Sequence, residues 1–416
     1  MSSARTSRLH DAATLLVIAG SGNLILNYFG GPIGAFIPFA GVALLALVSG
    51  MSFKRSDAWL LLGFAAVTVV HLIAFGVQIL PSTMSIGVRL ATALLAVRVI
   101  PEFFSRVVKV MYWLAAISLV FHLPVLLGVD MSPVVNHFSI PLSLGPLDIH
   151  KDITGHLIVH YYRQEVIEGE SLDRNSGMFW EPGAFAGYLV LALLLASLSY
   201  YRLTRKQLVV IVLALLTTRS TTGYVALALL ALGYTLFSGR SKLGRSFVFK
   251  VVAGCALPLT FYAVYSNTSF LEAKVAYQFS ATEAENNTWE ITRFGNAIYD
   301  WGYFLQRPLT GWSLSNTTRP GEEEILLRQG NALTGLPVRL GLPAALLVLS
   351  LILRFFRLSG AWSPLWALAV ICCLLVGEQF ILYPLFLAML VRPVARVASR
   401  PQAAVRPSLG MVQRRY

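Results

Sequence analysis

Charge is scarce in this chain: only 13% of its 416 residues are Asp, Glu, Lys or Arg. A water-soluble globular domain carries about a quarter, so counting soluble domains by length is the wrong exercise. Cysteine is scarcer still. Cys255, Cys372 and Cys373 all fall in apolar runs, where spacing suggests neither a metal motif nor a disulfide framework and small apolar filler is the expected role. There is no glycine-rich phosphate loop and no dinucleotide fingerprint, which argues against NTP or nicotinamide chemistry. No His/Cys/Asp/Glu cluster has metal-ligand spacing, so neither a metal nor another cofactor is expected. No stretch outside the apolar runs is long enough for a nucleotide-sugar domain. A reaction here would need a substrate that arrives already activated, carried in a membrane.

What is abundant is hydrocarbon: 56% of residues are hydrophobic and the mean hydropathy is +0.67. Apolar runs of about 17–25 residues match the roughly 30 Å of bilayer hydrocarbon. They predict an all-α polytopic membrane protein with about twelve spans, near 11–29, 33–50, 58–80, 84–100, 104–128, 182–200, 206–218, 220–237, 246–266, 331–353, 362–378 and 380–391. Two longer runs are split into hairpins at polar breaks, Thr217–Thr222 and Gly377-Glu378-Gln379. The basic-then-apolar N-terminus shows no clear cleavage site and reads as a retained first span.

The charge distribution fixes a polarity. With the N-terminus in the cytoplasm, alternating spans place 22 of the 33 basic residues inside against three acids, Asp11, Asp57 and Glu102, and the sums are +19 inside and −6 outside. The net charge of +13 is therefore a topology signal and needs no nucleic acid partner. Residues 1–391 form a single transmembrane domain, and 392–416 a basic cytoplasmic tail whose composition predicts disorder.

Two outer loops are long, 129–181 and 267–330, and loops of this length tend to be functional. The first holds His156–Tyr162, a candidate short strand, and His137, His150, His156 and His160, which read as solvated. The second holds a candidate amphipathic helix, Trp289 through Trp301, an acidic run at Glu322–Glu324, and two of the three Asn-x-Ser/Thr triplets, a pattern common by chance; the third opens it at Asn267.

The unexplained residues are outer arginines. Arg174 precedes a span, Arg219 sits at a hairpin tip, and Arg293 lies in the second loop. Arg328 and Arg339 bracket the start of the tenth span, and Arg89 lies inside the fourth. An arginine at membrane depth costs about 2.5–3.5 kcal/mol on insertion scales. Several guanidiniums converging from different helices would grip a phosphate or pyrophosphate by paired hydrogen bonds; each taken alone could instead pair with an acid or reach to headgroups. Glu181, where a loop enters a span beside Trp180 and Pro182, is the carboxylate best placed to be a general base. It could equally be a helix-start acid or an ion-pair partner of Arg174. Glu378 has the same ambiguity, and Tyr383 reads more simply as packing.

Three stretches carry a resemblance. Arg174-Asn-Ser-Gly177-Met-Phe179-Trp-Glu181-Pro182, Thr218-Arg219-Ser220-Thr221-Thr222-Gly223, and Arg293 through Gly341 with Pro308-Leu-Thr-Gly311-Trp312 and Asn331-Ala-Leu…Arg339-Leu-Gly341 resemble the O-antigen polymerase (Wzy) and O-antigen ligase superfamily. The resemblance implies a metal-independent glycosyltransferase at the periplasmic face of a bacterial inner membrane. Its donor would be a glycan on undecaprenyl pyrophosphate, and its pathway partners a flippase and a chain-length regulator. By the same resemblance Arg174, Arg219, Arg293 and Arg339 grip the lipid pyrophosphate, with Arg328, Asn331, Arg89 and Glu378 lining the site. Ligases of the superfamily carry a histidine in the second loop; this chain has Arg328-Gln-Gly-Asn331 there, which favours a polymerase. Arg319 and Gly330 fit an Arg-x10-Gly pattern associated with polymerases, a match about as expected by chance. The alternatives are a ligase with another acceptor lipid and a transporter or flippase of anionic lipids. The latter should show internal repeats and polar midplane breaks, and neither is visible.

Overall fold

The computed structural model describes residues 3–23, 25–26, 32–51, 53–137, 139–141, 154–156, 161–167, 170–198, 200–238, 293–319 and 331–392. The ninth expected span, most of the second outer loop with Arg328, Gly330 and Glu322–Glu324, residues His150, His160 and Cys255, and the tail from 393 lie outside them. The described part is about 80% helical, with 14 α-helices. The helices are α1 (Ser3–Gly22), α2 (Pro32–Ser49), α3 (Arg55–Phe75), α4 (Leu80–Val99), α5 (Phe103–Leu126), α6 (Ser132–His137), α7 (Pro182–Ser197), α8 (Arg205–Thr217), α9 (Thr221–Phe237), α10 (Arg293–Gln306), α11 (Ala332–Leu340), α12 (Leu342–Leu358), α13 (Pro364–Gly377) and α14 (Pro384–Leu387).

Three helical segments are long and apolar enough to cross a membrane: Arg55–Phe75, Val77–Val99 and Phe103–Leu126. They mark the chain as a membrane protein. Four shorter apolar helices accompany them. The helix starts follow local chemistry. Thr204 and Gln207 form a reciprocal capping box at α8, Ser220 caps α9, and prolines open α7 and α13, where the missing N–H costs nothing. The core is centred on α7, hydrophobic all round, with 13 of its 16 residues buried. A helix apolar on every face must be interior, and α7 packs against α5, α8, α9 and α13.

Several expectations need correction. The first helix spans Ser3–Gly22 rather than 11–29. Its end is set by tertiary pairing: the Asn23 side chain donates to the Met178 carbonyl at 3.1 Å, and Trp180 N–H donates to the Gly22 carbonyl at 3.0 Å. The stretch 331–353 is two helices, α11 and α12, broken at Gly341, whose φ is +77°. The stretch 380–391 is not a helix of a hairpin. It is two 3-10 turns, Phe380–Leu382 and Ala388–Leu390, flanking the single turn α14. Pro384 disfavours helical backbone at the residue before it, and Tyr383 is extended at φ −105°, ψ 150°.

The first loop is not unstructured. It contains α6 and two antiparallel hairpins: β1 (Ser139–Pro141) with β2 (Thr154–His156), and β3 (Tyr161–Ile167) with β4 (Glu170–Asn175). The candidate strand at 156–162 thus overlaps the end of one strand and the start of another. In the second loop the amphipathic helix begins at Arg293. It lies polar side inward: Asn296 and Asp300 are buried while Ile298, Trp301 and Leu305 face out, and Thr334 Oγ1 donates to Asp300 at 2.5 Å.

Contacts sort the helix ends into two groups. At one end Arg98 grips Asp57 and donates to the Arg392 carbonyl at 2.9 Å, Lys109 meets Asp11 at 2.7 Å and Arg106 meets the same carboxylate, and Phe104, Tyr200 and Phe355 cluster. The opposite end gathers residues 174–181, 217–223 and 377–383. Arg98, Arg106 and Lys109, three of the basic residues assigned to one side by sequence, thus pair with Asp57 and Asp11 at the first of these ends.

Candidate functional site

The site is built on the end opposite those ion pairs. Arg174, 5% exposed, projects from β4 and donates from Nε to the Thr218 carbonyl and from Nη2 to the Arg219 carbonyl, both at 3.1 Å. These carbonyls terminate α8, where a cation is favoured by the helix dipole. Its neighbour Asn175 donates to Thr217 Oγ1 at 2.9 Å and to Ser118 Oγ on α5 at 3.1 Å, while its own Oδ1 accepts from Gly177 N–H at 3.0 Å. Gly177 has φ +54°, and a Cβ there would stand 3.1 Å from the Phe185 ring. The Arg-Asn-Ser-Gly stretch is therefore a clasp that holds the hairpin tip to the N-terminal end of α7.

At that tip Arg219 is one of three described non-glycine residues with positive φ, at +49°. Such backbone costs of order 1–3 kcal/mol and holds the Arg219 side chain, half-buried, away from the path a helical residue would give it. Glu181 follows directly along the chain from the clasp. It is extended at φ −156° and precedes Pro182 at the start of α7, and its side chain makes no cap hydrogen bond. Glu181 thus stands at a helix start, one of the places open to it from sequence.

A second group meets the first through aromatic stacking. Trp180 lies 5.1 Å from Tyr383 between ring centroids, and the Arg89 guanidinium sits 4.7 Å over the other ring partner, Tyr383. Arg89 Nε is buried with no hydrogen-bond partner among the described residues, so the ring face carries much of its charge compensation. Glu378, 8% exposed, ends α13. The adjoining Gly377 abuts Thr222, since a Cβ there would lie 2.7 Å from its methyl group. Gln379 accepts from Arg339 Nη2 at 3.5 Å. Asn331 caps α11, accepting from Leu333 and Thr334 N–H at 3.1 and 3.2 Å. Asn331, Arg339 and Gln379 share the lining of one small pocket.

Arg339 owes its position to a backbone clasp between two motifs far apart in sequence. Trp312 and Ser313 N–H donate to the Val338 and Arg339 carbonyls at 2.8 and 3.0 Å, and Leu342 N–H donates to the Pro308 carbonyl at 2.8 Å. Gly311 and Gly341 allow this approach. A Cβ on Gly341 would fall 2.1 Å from the Leu309 carbonyl oxygen, and both glycines have positive φ.

The structure therefore brings Arg89, Arg174, Arg219, Arg339, Asn331, Glu181 and Glu378 to one end of the helix bundle, from α4, β4, the α8–α9 tip, α11, α7 and α13. Arg293 opens α10, with its side chain outside the described atoms, and Arg328 lies outside the described residues. One residue escaped the sequence reading: His122, fully buried in α5 and within electrostatic reach of Arg219 and Asp173. It lies one turn beyond Ser118, the partner of Asn175. An ionisable residue inside an apolar run was the available signal.

No protein-family model matches the chain, and no curated protein matches it.

Proposed function

We propose that the chain is a polysaccharide polymerase of the O-antigen polymerase kind, making lipopolysaccharide or exopolysaccharide at the periplasmic face of a bacterial inner membrane. It transfers a glycan from undecaprenyl pyrophosphate onto a lipid-linked repeat unit. The observation that carries this reading is the gathering of four arginines, Arg89, Arg174, Arg219 and Arg339, at one end of a membrane helix bundle beside the helix-start carboxylate Glu181. Arg174, Arg89 and Arg339 already contact carbonyl, ring and amide groups, but a guanidinium has five donors and can hold a structural contact and an anion at once.

In the proposed reaction the acceptor sugar hydroxyl attacks the anomeric carbon of the donor glycan. The bond from that carbon to the pyrophosphate oxygen breaks, and undecaprenyl pyrophosphate leaves with the electron pair. Glu181 takes the hydroxyl proton. The leaving group is already good, so the protein positions the acceptor and neutralises the departing charge. Arginines from several helices suit that task because planar guanidinium matches phosphate oxygens two at a time.

Deletion of the gene tests the reading. Surface lipid capped by single repeat units is the expected outcome. Long chains retained on the undecaprenyl carrier would indicate a ligase instead, and normal polysaccharide would exclude both.

A further inference from the structure

A cavity runs from the basic end of the bundle toward Leu314, Leu336, Leu340, Ile381 and Leu382, which also line the small pocket of Asn331, Arg339 and Gln379. It has a volume of about 490 Å3 and is walled by α3, α4, α11, α12 and the broken segment on both sides of Tyr383. This is the size range of small-molecule and cofactor sites, about 300–1,000 Å3. Its lining is apolar apart from Ser56 and three arginines, Arg55, Arg354 and Arg392, and it includes no carboxylate. The arginines come from three separate places: the first residue of α3, the C-terminal part of α12, and the chain just beyond the Ala388–Leu390 turn. The carboxylate nearest in sequence, Asp57, is already held by Arg98 at 1% exposure on both sides.

Along α3 the lining runs from Arg55 through Gly63 to Val67, which is about 18 Å of helix. Along α12 it runs from Ala344 to Leu358, about 21 Å, and it continues through Leu340 and Leu336, so the apolar part is deeper than one leaflet of the roughly 30 Å hydrocarbon. Trp59 lies one turn from Arg55, 63% exposed, the place an indole takes at a membrane interface. Only 6% of the most apolar window of α3 is buried inside the protein, so among the described residues little of that face is covered.

We infer that this cavity is a binding site for an anionic phospholipid of the leaflet on the basic side of the protein, with the headgroup phosphate on Arg55, Arg354 and Arg392 and an acyl chain along α3. Charge complementarity selects the headgroup, and the place of the three arginines at the basic end selects a lipid of the leaflet on that side. The inference stands apart from the polymerase reading, since Arg55, Arg354 and Arg392 are not among the arginines of the other end.

The full-length protein, purified in mild detergent and placed in phosphatidylcholine nanodiscs, provides the test. Native mass spectrometry and thermal melting are read on addition of phosphatidylglycerol, phosphatidylcholine or undecaprenyl phosphate. Phosphatidylglycerol is expected to stay bound through delipidation and raise the melting temperature, and phosphatidylcholine to do neither. The triple variant Arg55→Gln, Arg354→Gln, Arg392→Gln is expected to retain phosphatidylglycerol at least about tenfold less well, from loss of three surface cation contacts. Gly63→Leu leaves the arginines in place and fills the groove, because nothing lies within 4 Å of a Cβ there. It should also weaken retention, with an unchanged melting temperature in phosphatidylcholine. Equal retention of the two phospholipids, or full retention by both variants, overturns the inference. Displacement of phosphatidylglycerol by undecaprenyl phosphate, lost in Gly63→Leu, overturns it in favour of a carrier-lipid groove.

Discussion

Arg174 donates a hydrogen bond to the carbonyl of Arg219 at 3.1 Å, across 45 positions of sequence. One candidate anion-binding arginine thus fixes the backbone of another. Substituting Arg174 by Ala removes this bond and its companion to Thr218 and leaves two carbonyls at the end of α8 short of donors. Hydrogen bonds from charged groups contribute about 1.5–3 kcal/mol each, so Arg174→Ala should melt earlier and also lose polymer. Arg174→Lys can restore one contact but not the fork. It should recover most of the stability and little of the polymer length, read by gel ladder and by thermal melting of purified protein. A Lys variant with full-length polymer would argue against a guanidinium requirement.

Glu181 isolates the chemical step from binding. In Glu181→Gln the side chain keeps its shape and cannot take a proton. Loss of a general base slows a reaction by typically 10²–10⁴-fold. The expected result is accumulation of single repeat units with the protein at normal level, because Gln keeps the size of the side chain and only the proton-accepting carboxylate is lost. Ladder formation in Glu181→Gln at the wild-type rate would remove Glu181 from the mechanism and direct attention to His122.

Much of the scaffold is readable from local signals, and the site much less so. Pro182, Pro364 and the Thr204–Gln207 capping box mark helix starts, because these depend on residues within one turn. The ion pairs of Asp11 and Asp57 are readable for a similar reason: both acids stand near basic residues in sequence and meet Arg106, Lys109 and Arg98 in space. The break at Gly341 is not readable by hydropathy, since 331–353 is one apolar run. It depends on Pro308 and Leu309, whose carbonyls occupy the place a continuous helix would fill. The same holds for Arg174, whose position is fixed by Thr218 and Arg219. His122 was hidden because an apolar run around a histidine reads as a span and nothing more.

The clasp at Gly341 yields a sharp contrast between two glycines. Gly341→Ala forces a Cβ to 2.1 Å from the Leu309 carbonyl oxygen, at φ +77°. Backbone must shift, and a non-glycine residue in such a conformation is itself disfavoured by about 1 kcal/mol or more. The variant should be clearly destabilised and, through displacement of Arg339, defective in polymer. Gly63→Ala meets nothing within 4 Å inside a helix and should be neutral or gain roughly 0.5–1 kcal/mol from helix propensity. Melting curves of the two proteins, measured side by side, decide whether the loop and helix are joined as described.

The Arg98–Asp57 pair gives a double-variant test of the basic end. Both side chains are 1% exposed, and Arg98 Nε lies 2.7 Å from an Asp57 oxygen. Asp57 also accepts from Lys54 N–H at 3.0 Å, at the start of α3. Removing one partner of a buried pair leaves an uncompensated charge and costs about 3–5 kcal/mol, whereas replacing both by apolar groups is often nearly neutral. Asp57→Leu alone should therefore be severely destabilised. Arg98→Met added to it should restore most of the stability, short of the part owed to the lost cap at Lys54 and the lost bond to the Arg392 carbonyl. Additive losses in the double variant, measured by thermal melting, would show that the two residues are not energetically coupled and that the α3–α4 end is held by other contacts.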